Sequence, residues 1–537
     1  MAVDTATTFP LPRGAGEPPR HGQEMPKPDK QTRRRADLYP VIAVAVLAAV
    51  TSTIWSASTR SMLLYGDALA HLNVARHVTD SLRVGFAQLG SVWLPLPHLL
   101  LVPLVASGTL WHSGAAGAIV NGIAFVYAAV RIYTLVEDLS GSKIGAWCGF
   151  AVFIFNLNML YVQSTALTEP VLLAFVIGAI YHLERWMRLL SMRELIWAAL
   201  LTSCATLSRY EGWALFVVGV GAVLLWSVVA DFRKGSAEAN IVVFGVLGSY
   251  GIVLWFFYNL IIFHNPLYFL NSAYSAQVIN GAQAKFGLLG TKGNLKLSAL
   301  TYGWDMVGVV TAAVLVAGGL SVLVLLAVRH PARRRTSFVL GLLAAPAIFE
   351  VLTLYAGQIT IRVPQLAPHG MWNVRYGLMV LPLCAVAIGV LAGRLRWTAA
   401  PLVGIVVVST VLAGLGTPIT LADGRMGTSS AMGGHPDIAA QYLHDHYRGG
   451  EVLADDSAAS PFMFEADLNL NQFVSPGAHP FWENALTSPS RHVAWAVAFP
   501  DDAVSMDLSS HPDRFRDFKL VMATGNLRLF ERVVTER

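Results

Sequence analysis

Asp67 and His71 stand four residues apart in YGDALAHLNVARH (Tyr65–His77), just past the first apolar run of the chain. If this stretch is helical, the two side chains share a face one turn apart. A carboxylate and an imidazole placed that way can act as a base with its orienting partner. They can equally be two ligands for a divalent metal such as Mg or Mn. The same spacing also suits an aspartate favoured by the helix dipole and a histidine that points to water. Alone, the pair does not choose among these.

Other ionisable groups lie in corresponding places. Glu169 immediately precedes Pro170 in TALTEP, Arg209 and Glu211 flank Tyr210 in SRYEGW, and Arg375 and Tyr376 follow Trp372 in MWNVRYG. Each has an ordinary explanation: helix-start chemistry for Glu169, a mutual ion pair for Arg209 and Glu211, snorkelling for Arg375. As a set they are harder to dismiss, because ionisable groups at membrane depth are costly and often mark a site. Carboxylates can deprotonate a hydroxyl nucleophile, and arginines can hold a phosphate bidentately and stabilise it as it departs. Trp93, Tyr210, Trp213, Tyr268 and Trp372 offer faces for sugar rings, although an interfacial aromatic belt accounts for the same positions. Together these groups suit transfer of a sugar from a polyprenyl phosphate to a hydroxyl acceptor.

The elements that must position them are membrane spans. Of 537 residues, 55% are hydrophobic and 13% charged, too little charge to cover a soluble surface of that length. About eleven apolar runs approach the ~20 residues that cross a bilayer. They lie near 38–57, 113–133, 143–163, 170–187, 194–208, 213–230, 239–263, 304–328, 337–356, 374–393 and 398–416. The segment 92–110 holds Pro95, Pro97 and Pro103, which suits a broken or re-entrant piece better than a straight span. Residues 1–37 are proline-rich and end in Arg33–Arg35, and are expected to form a disordered basic tail.

Arg33–Arg35, Arg131 with Lys143, Arg185 with Arg188 and Arg193, Arg233 with Lys234, Arg329 with Arg333–Arg335, and Arg394 with Arg396 alternate with loops poorer in basic residues. Under the positive-inside rule these clusters are cytoplasmic and the protein is a multi-pass plasma-membrane protein. All the candidate residues above then share the external face. The net charge of +5 is distributed between apolar segments, which orients spans and argues against nucleic acid as a partner. After residue 416 the chain turns polar, and 430–537 reads as a small external α/β domain. Its candidate strands are EVLADD (Glu451–Asp456), VAWAVAF (Val493–Phe499), KLVMAT (Lys519–Thr524) and LRLFERV (Leu527–Val533). Cys148, Cys204 and Cys384 all fall in apolar runs, so packing rather than a disulfide framework is expected.

The layout over 38–416 and the stretch GDALAHLNVARHVTDSL…AQLGSVWLPLPHLL resemble the type C glycosyltransferases (GT-C). The resemblance is to the bacterial branch of dolichyl-phosphate-mannose–protein mannosyltransferase-like and lipid A aminoarabinose transferase-like enzymes. It implies a mainly α fold of about 11 transmembrane helices, a polyprenyl-phosphate sugar donor, and an extracytoplasmic glycan, glycolipid or protein acceptor. By position, it makes Asp67 the candidate catalytic base and Glu169 the second-loop acid. Arg375 and Tyr376 are the RY pair near the donor phosphate, and Arg209 is a second phosphate contact. Trp93, Glu211, Tyr268 and Trp372 are expected to line the substrate cavity. Gly66–Asp67 stands where many relatives carry two adjacent acids. That leaves open whether His71 supplies the missing function and whether Asp67, His71 and Glu169 hold a metal. A transporter or permease subunit for an envelope precursor is the rival reading. It expects duplicated halves or discontinuous helices with charges near mid-bilayer, whereas the charges here lie at the external ends of spans and no duplicated half is found. A receptor or scaffold would leave Asp67 and Glu169 unexplained.

Overall fold

The computed structural model describes residues 30–230, 234–272, 275–285, 287–430 and 436–533. The tail up to residue 29, Arg233 and the edges of the C-terminal segment lie outside the described residues. Among the described residues, eight helices are long and apolar enough to cross a membrane, or up to ten if each bent pair counts as one span. The first helix begins at Lys30 and runs to Ser58, so the end of the expected disordered tail is helical.

The spans differ from the expected straight segments in identifiable ways. The run at 143–163 is two helices, Lys143–Ile154 and Leu157–Gln163, bent by 63°. Asn156 makes the break by capping the second helix, accepting from the Met159 N–H at 2.8 Å, while its amide donates to the Val309 carbonyl at 2.9 Å. The run at 304–328 is Leu295–Val310 and Ala312–Ala327, bent by 108°. Thr311 sits between them at φ 74, a left-handed conformation that interrupts the helical ladder and is strained for a β-branched residue. The run at 194–208 is Met192–Thr206, 15 residues, roughly 22 Å at 1.5 Å per residue and short of the ~30 Å hydrocarbon core. The proline-rich segment forms a ten-residue helix, Leu96–Val105.

Close approach at the centre depends on absent side chains. Lys143–Ile154 packs against Leu381–Arg394 through Gly145 and Gly389. A Cβ on Gly145 would lie 2.5 Å from the Gly389 carbonyl oxygen, and one on Gly389 would lie 2.8 Å from that of Gly145. Small residues let helix backbones meet where lipid tails offer no hydrophobic drive for association.

The loops that the basic-residue pattern assigns to one side do meet. Arg188 pairs with Asp138 at 2.7 Å, Arg185 with Glu194 at 3.1 Å and Lys143 with Asp37 at 2.8 Å, and Arg335 pairs with Glu184. These lie at the far end of the Glu169–Leu189 and Ala115–Ser140 helices from the candidate residues.

The C-terminal segment folds into a five-stranded sheet of order β2-β1-β3-β5-β4. The strands are β1 Val452–Leu453, β2 Phe473–Val474, β3 Trp495–Ala498, β4 Phe518–Thr524 and β5 Leu527–Arg532. β1 is parallel to both β2 and β3, and β3–β5 and β5–β4 are antiparallel. The two-residue β2 falls outside the expected strands, being too short to show periodicity.

This domain is not separate from the membrane part. Its helix Asp456–Glu465 packs on the first-loop helix Gly66–His77, where Asn73 donates to the Ser460 carbonyl and hydroxyl, both at 3.0 Å. Trp111 donates to the Asn73 carbonyl at 3.2 Å and sets its ring edge against Phe464. Asp80 accepts from the Leu470 and Asn471 backbone. The first-loop helix is therefore enclosed, with Leu69, Leu72 and Ala75 buried.

Candidate active site

Tyr65, in extended conformation (φ −85, ψ 126), starts the first-loop helix, and Asp67 falls in its first turn where the dipole favours a carboxylate. Glu169 opens its helix before Pro170, whose fixed φ suits a first turn. Arg375 sits in the short 3-10 turn Val374–Val380, which feeds directly into Leu381–Arg394. Asn373 at φ 57 redirects the chain just before it.

These starts converge on Arg375. Its Nε donates to Glu169 Oε1 at 2.9 Å, and its Nη2 donates to Asp67 Oδ2. Arg209 donates to the same Glu169 oxygen at 3.0 Å, to Thr168 Oγ1 at 3.0 Å, and through Nε to Glu211 at 2.8 Å. Aromatic rings close the faces of the guanidiniums. Arg375 lies 5.1 Å from the Tyr65 ring centroid and 5.2 Å from that of Tyr376, and Arg209 lies 4.7 Å from Tyr376. The Tyr65 hydroxyl donates to the Thr420 carbonyl at 2.7 Å and to Asp423 at 3.0 Å. The Val374 N–H also reaches Asp423, at 3.2 Å. Exposure separates the carboxylates: the Asp67 side chain is 41% exposed, Glu169 0% and Glu211 4%. Of the three, Asp67 is the one open to solvent.

His71 does not join Asp67 in this cluster. Its Nδ1 pairs with His98 Nε2 at 2.8 Å, and its ring lies 4.4 Å from that of Trp93. Burial first, then His98 and the Arg375 and Arg209 guanidiniums, hold His71 well below the usual imidazole range, so it is neutral near pH 7. Asp67, His71 and Glu169 therefore do not assemble as a metal centre. Both carboxylates are turned to a guanidinium, and those cations oppose another. Among the described residues, no group of three or more His, Cys, Asp or Glu side chains is placed to hold an ion.

Of the residues expected to line a substrate cavity, Glu211 is part of the cluster through Arg209, and Trp93 lies against His71 and His98. Tyr268 stacks on Phe263 at 4.5 Å, and Trp372 pairs its backbone with Arg362 and takes that guanidinium at 5.2 Å. An apolar cavity of about 260 Å³, lined by Cys148, Phe155, Ile388, Val406 and Val411, lies elsewhere in the bundle and shares none of the cluster's residues. Tyr65, His98, Thr168, Glu350 and Asp423 are the residues sequence reasoning passed over. Glu350 lies within hydrogen-bonding reach of Glu211. Glu350 is a carboxylate within the apolar helix Arg333–Ala356, the signal that would have found it.

No protein-family model matches the chain, and no curated protein sequence matches it. Among solved structures, ArnT from Cupriavidus metallidurans in its apo state aligns over 93% of this chain and 98% of its own. Its TM-score is 0.53 at 13% identity. This chain has a GT-C fold. The Archaeoglobus fulgidus oligosaccharyltransferase tethered to an acceptor peptide aligns over 88% of this chain and 70% of its own, with a TM-score of 0.48 and 14% identity. At 13% identity the likeness to ArnT is one of fold alone. The guanidinium–carboxylate cluster stands where the starts of the first-loop helix, of Glu169–Leu189 and of Glu211–Val229 meet the Val374–Val380 turn.

Proposed function

We propose that the protein is a membrane-embedded glycosyltransferase that moves a sugar from a polyprenyl-phosphate donor to a hydroxyl acceptor of the cell envelope, on the extracytoplasmic side. The observation that carries this reading is the convergence on Arg375 of a solvent-accessible carboxylate, Asp67, and a buried one, Glu169, within a GT-C fold. Asp67 takes the proton of the acceptor hydroxyl as its oxygen attacks the anomeric carbon. The bond from that carbon to the phosphate oxygen breaks, and the polyprenyl phosphate leaves with the bonding pair. Arg375 and Arg209 stabilise the departing charge in a site with little water, where such contacts are strongest. Attack opposite the leaving group inverts the anomeric configuration. The mechanism uses no metal-dependent step, because the donor set does not fit one.

The reading is tested by incubating the purified protein with a panel of polyprenyl-phosphate sugars and following transfer or hydrolysis. Turnover that is lost in Asp67→Asn and Asp67→Ala, with the variants still folded, is the expected result. Full turnover in either variant removes Asp67 from the mechanism. Solute flux into vesicles with no turnover of any donor would instead support a transporter.

A further inference from the structure

The guanidinium assigned to the donor phosphate is already occupied. Arg375 donates to Glu169 and to Asp67, and its side chain is 4% exposed. Tyr65 and Tyr376 cover it at 5.1 and 5.2 Å. Arg209 is equally engaged, with Glu211, Glu169 and Thr168. Two cations are thus matched by three carboxylates before any ligand arrives, and an incoming phosphate must displace one of them.

The three are not equally displaceable. Glu169 and Glu211 are sealed in the protein, at 0% and 4% exposure, and breaking either pair strands a dry charge, which costs about 3–5 kcal/mol. Asp67 is 41% exposed and turns into water when it lets go. Arg375 keeps Glu169 when Asp67 leaves, so this pair costs less to open than either sealed one. Beside it, a Cβ placed on Gly66 would meet nothing within 4 Å, so the helix start has room to shift.

We propose that in the resting protein Asp67 occupies the donor-phosphate position on Arg375, and that the donor's phosphate frees this carboxylate by displacing it. Donor binding then makes the base. A carboxylate held by a guanidinium is a poor proton acceptor, because the cation favours its charged form. Once the phosphate takes over the Arg375 fork, Asp67 keeps its place at the mouth of the site with a free lone pair for the acceptor hydroxyl. Water arriving without a donor meets a base that is still tied down, which limits wasteful hydrolysis. By linkage, Asp67 weakens phosphate binding by the same factor that phosphate weakens the ion pair.

This inference rests on the proposed use of Arg375 as the phosphate contact, and the experiment separates the two. Full-length protein in nanodiscs is titrated with decaprenyl monophosphate, with inorganic phosphate as a parallel arm that lacks the lipid. Asp67→Asn and Asp67→Ala are expected to bind the lipid phosphate about tenfold more tightly than the wild type. In an Arg375→Lys background, which keeps the charge and loses the fork, removing the Asp67 charge is expected to gain less than about twofold. Arg375→Gln is expected to lose binding. Monodisperse elution and a cooperative melting transition in each variant confirm that folded proteins are compared. Wild-type binding that is lost in Arg375→Gln but no tighter in either Asp67 variant overturns the displacement and leaves the phosphate contact standing. Binding that is indifferent to Arg375→Gln, or absent from every protein, overturns both. Equal gains in the inorganic phosphate arm support the displacement and make the shared phosphate, not the prenyl chain, the group recognised.

Discussion

Glu169 Oε1 accepts from Arg375 Nε at 2.9 Å, and no solvent reaches that carboxylate. Arg209 donates to the same oxygen at 3.0 Å, so one glutamate joins helix starts that lie far apart in the chain. Its role is first architectural. Glu169→Ala leaves two guanidiniums without a counter-charge in a dry site, a loss of about 3–5 kcal/mol by the usual cost of breaking a buried pair. Glu169→Gln keeps the shape and one acceptor and is expected to lose less. Thermal unfolding in detergent measures the order. Wild-type melting in the alanine variant would show that the carboxylate holds nothing together.

Arg375→Lys asks a different question. Lysine retains the positive charge but presents a point donor in place of a planar fork. Folding is expected to survive, because Glu169 and Asp67 still face a cation. Turnover of the donor is expected to fall by about 10²-fold, the scale set by removing one aligned donor from a developing oxyanion. The effect should appear in kcat more than in KM if the second contact forms only as the phosphate departs. A lysine variant with wild-type kcat would move the phosphate away from this residue.

The pairing of His71 with His98 makes a prediction about acid. Burial pushes the His98 imidazole down to about 4, against about 6.5 in an unfolded chain. Between those values the unfolded chain binds more protons than the folded one, so stability falls as pH drops from about 6.5 to about 4. The cost approaches roughly 3 kcal/mol at the acid end. His98→Gln, which does not titrate and can still bond His71, is expected to flatten that part of the melting-versus-pH curve. An unchanged slope in the glutamine variant would mean that other groups carry the acid sensitivity.

Much of this arrangement was readable from loop placement. Basic residues alternate between loops, and the alternation puts Asp67, Glu169, Arg209 and Arg375 on one face. The structure gathers those four residues into one cluster. Composition carries that information because burying a charge in lipid is costly enough to order whole loops. Direction is not carried in the same way. Hydropathy gives one apolar run at 304–328, and only the left-handed Thr311 reveals the 108° bend within it. Tyr268 and Trp372 read as sugar-stacking residues by type and loop, and spacing does not reveal that Phe263 and Arg362 are their neighbours in the fold. His71 shows the limit of a spacing argument. One helical turn does place it below Asp67, but the neighbouring helix Leu96–Val105 supplies His98 as its partner, and nothing within the first-loop stretch encodes that.

The C-terminal domain carries the opposite pH dependence. Asp456 follows β1 beside Asp455, which caps the next helix by accepting from the Ser457 N–H at 3.1 Å. Burial, and then the Asp455 charge, push the Asp456 carboxyl up to about 7. The folded state therefore favours the protonated acid, and the group's contribution is fully present below about pH 4, the unfolded value. It is lost as pH rises toward 7, because the folded chain then binds more protons than the unfolded one and must give them up. Asp456→Asn mimics the neutral form at every pH. It is expected to leave melting near pH 4 unchanged and to raise stability above pH 7 by about 2 kcal/mol, a figure reduced for the partial solvent access of this side chain. The domain carries Trp482 and Trp495, both buried, although tryptophans in the membrane part share their emission. Hydrogen exchange of peptides over 452–498, compared at pH 5 and pH 8, reports on the domain directly. Equal protection of the wild type and Asp456→Asn at pH 8 would place the strain elsewhere. Because Asp456–Glu465 is the helix that holds Asn73 on the first loop, loosening it at alkaline pH should also loosen the helix that presents Asp67. Exchange over 66–77 should then rise together with exchange over 456–465 in the wild type, and in the asparagine variant neither should rise.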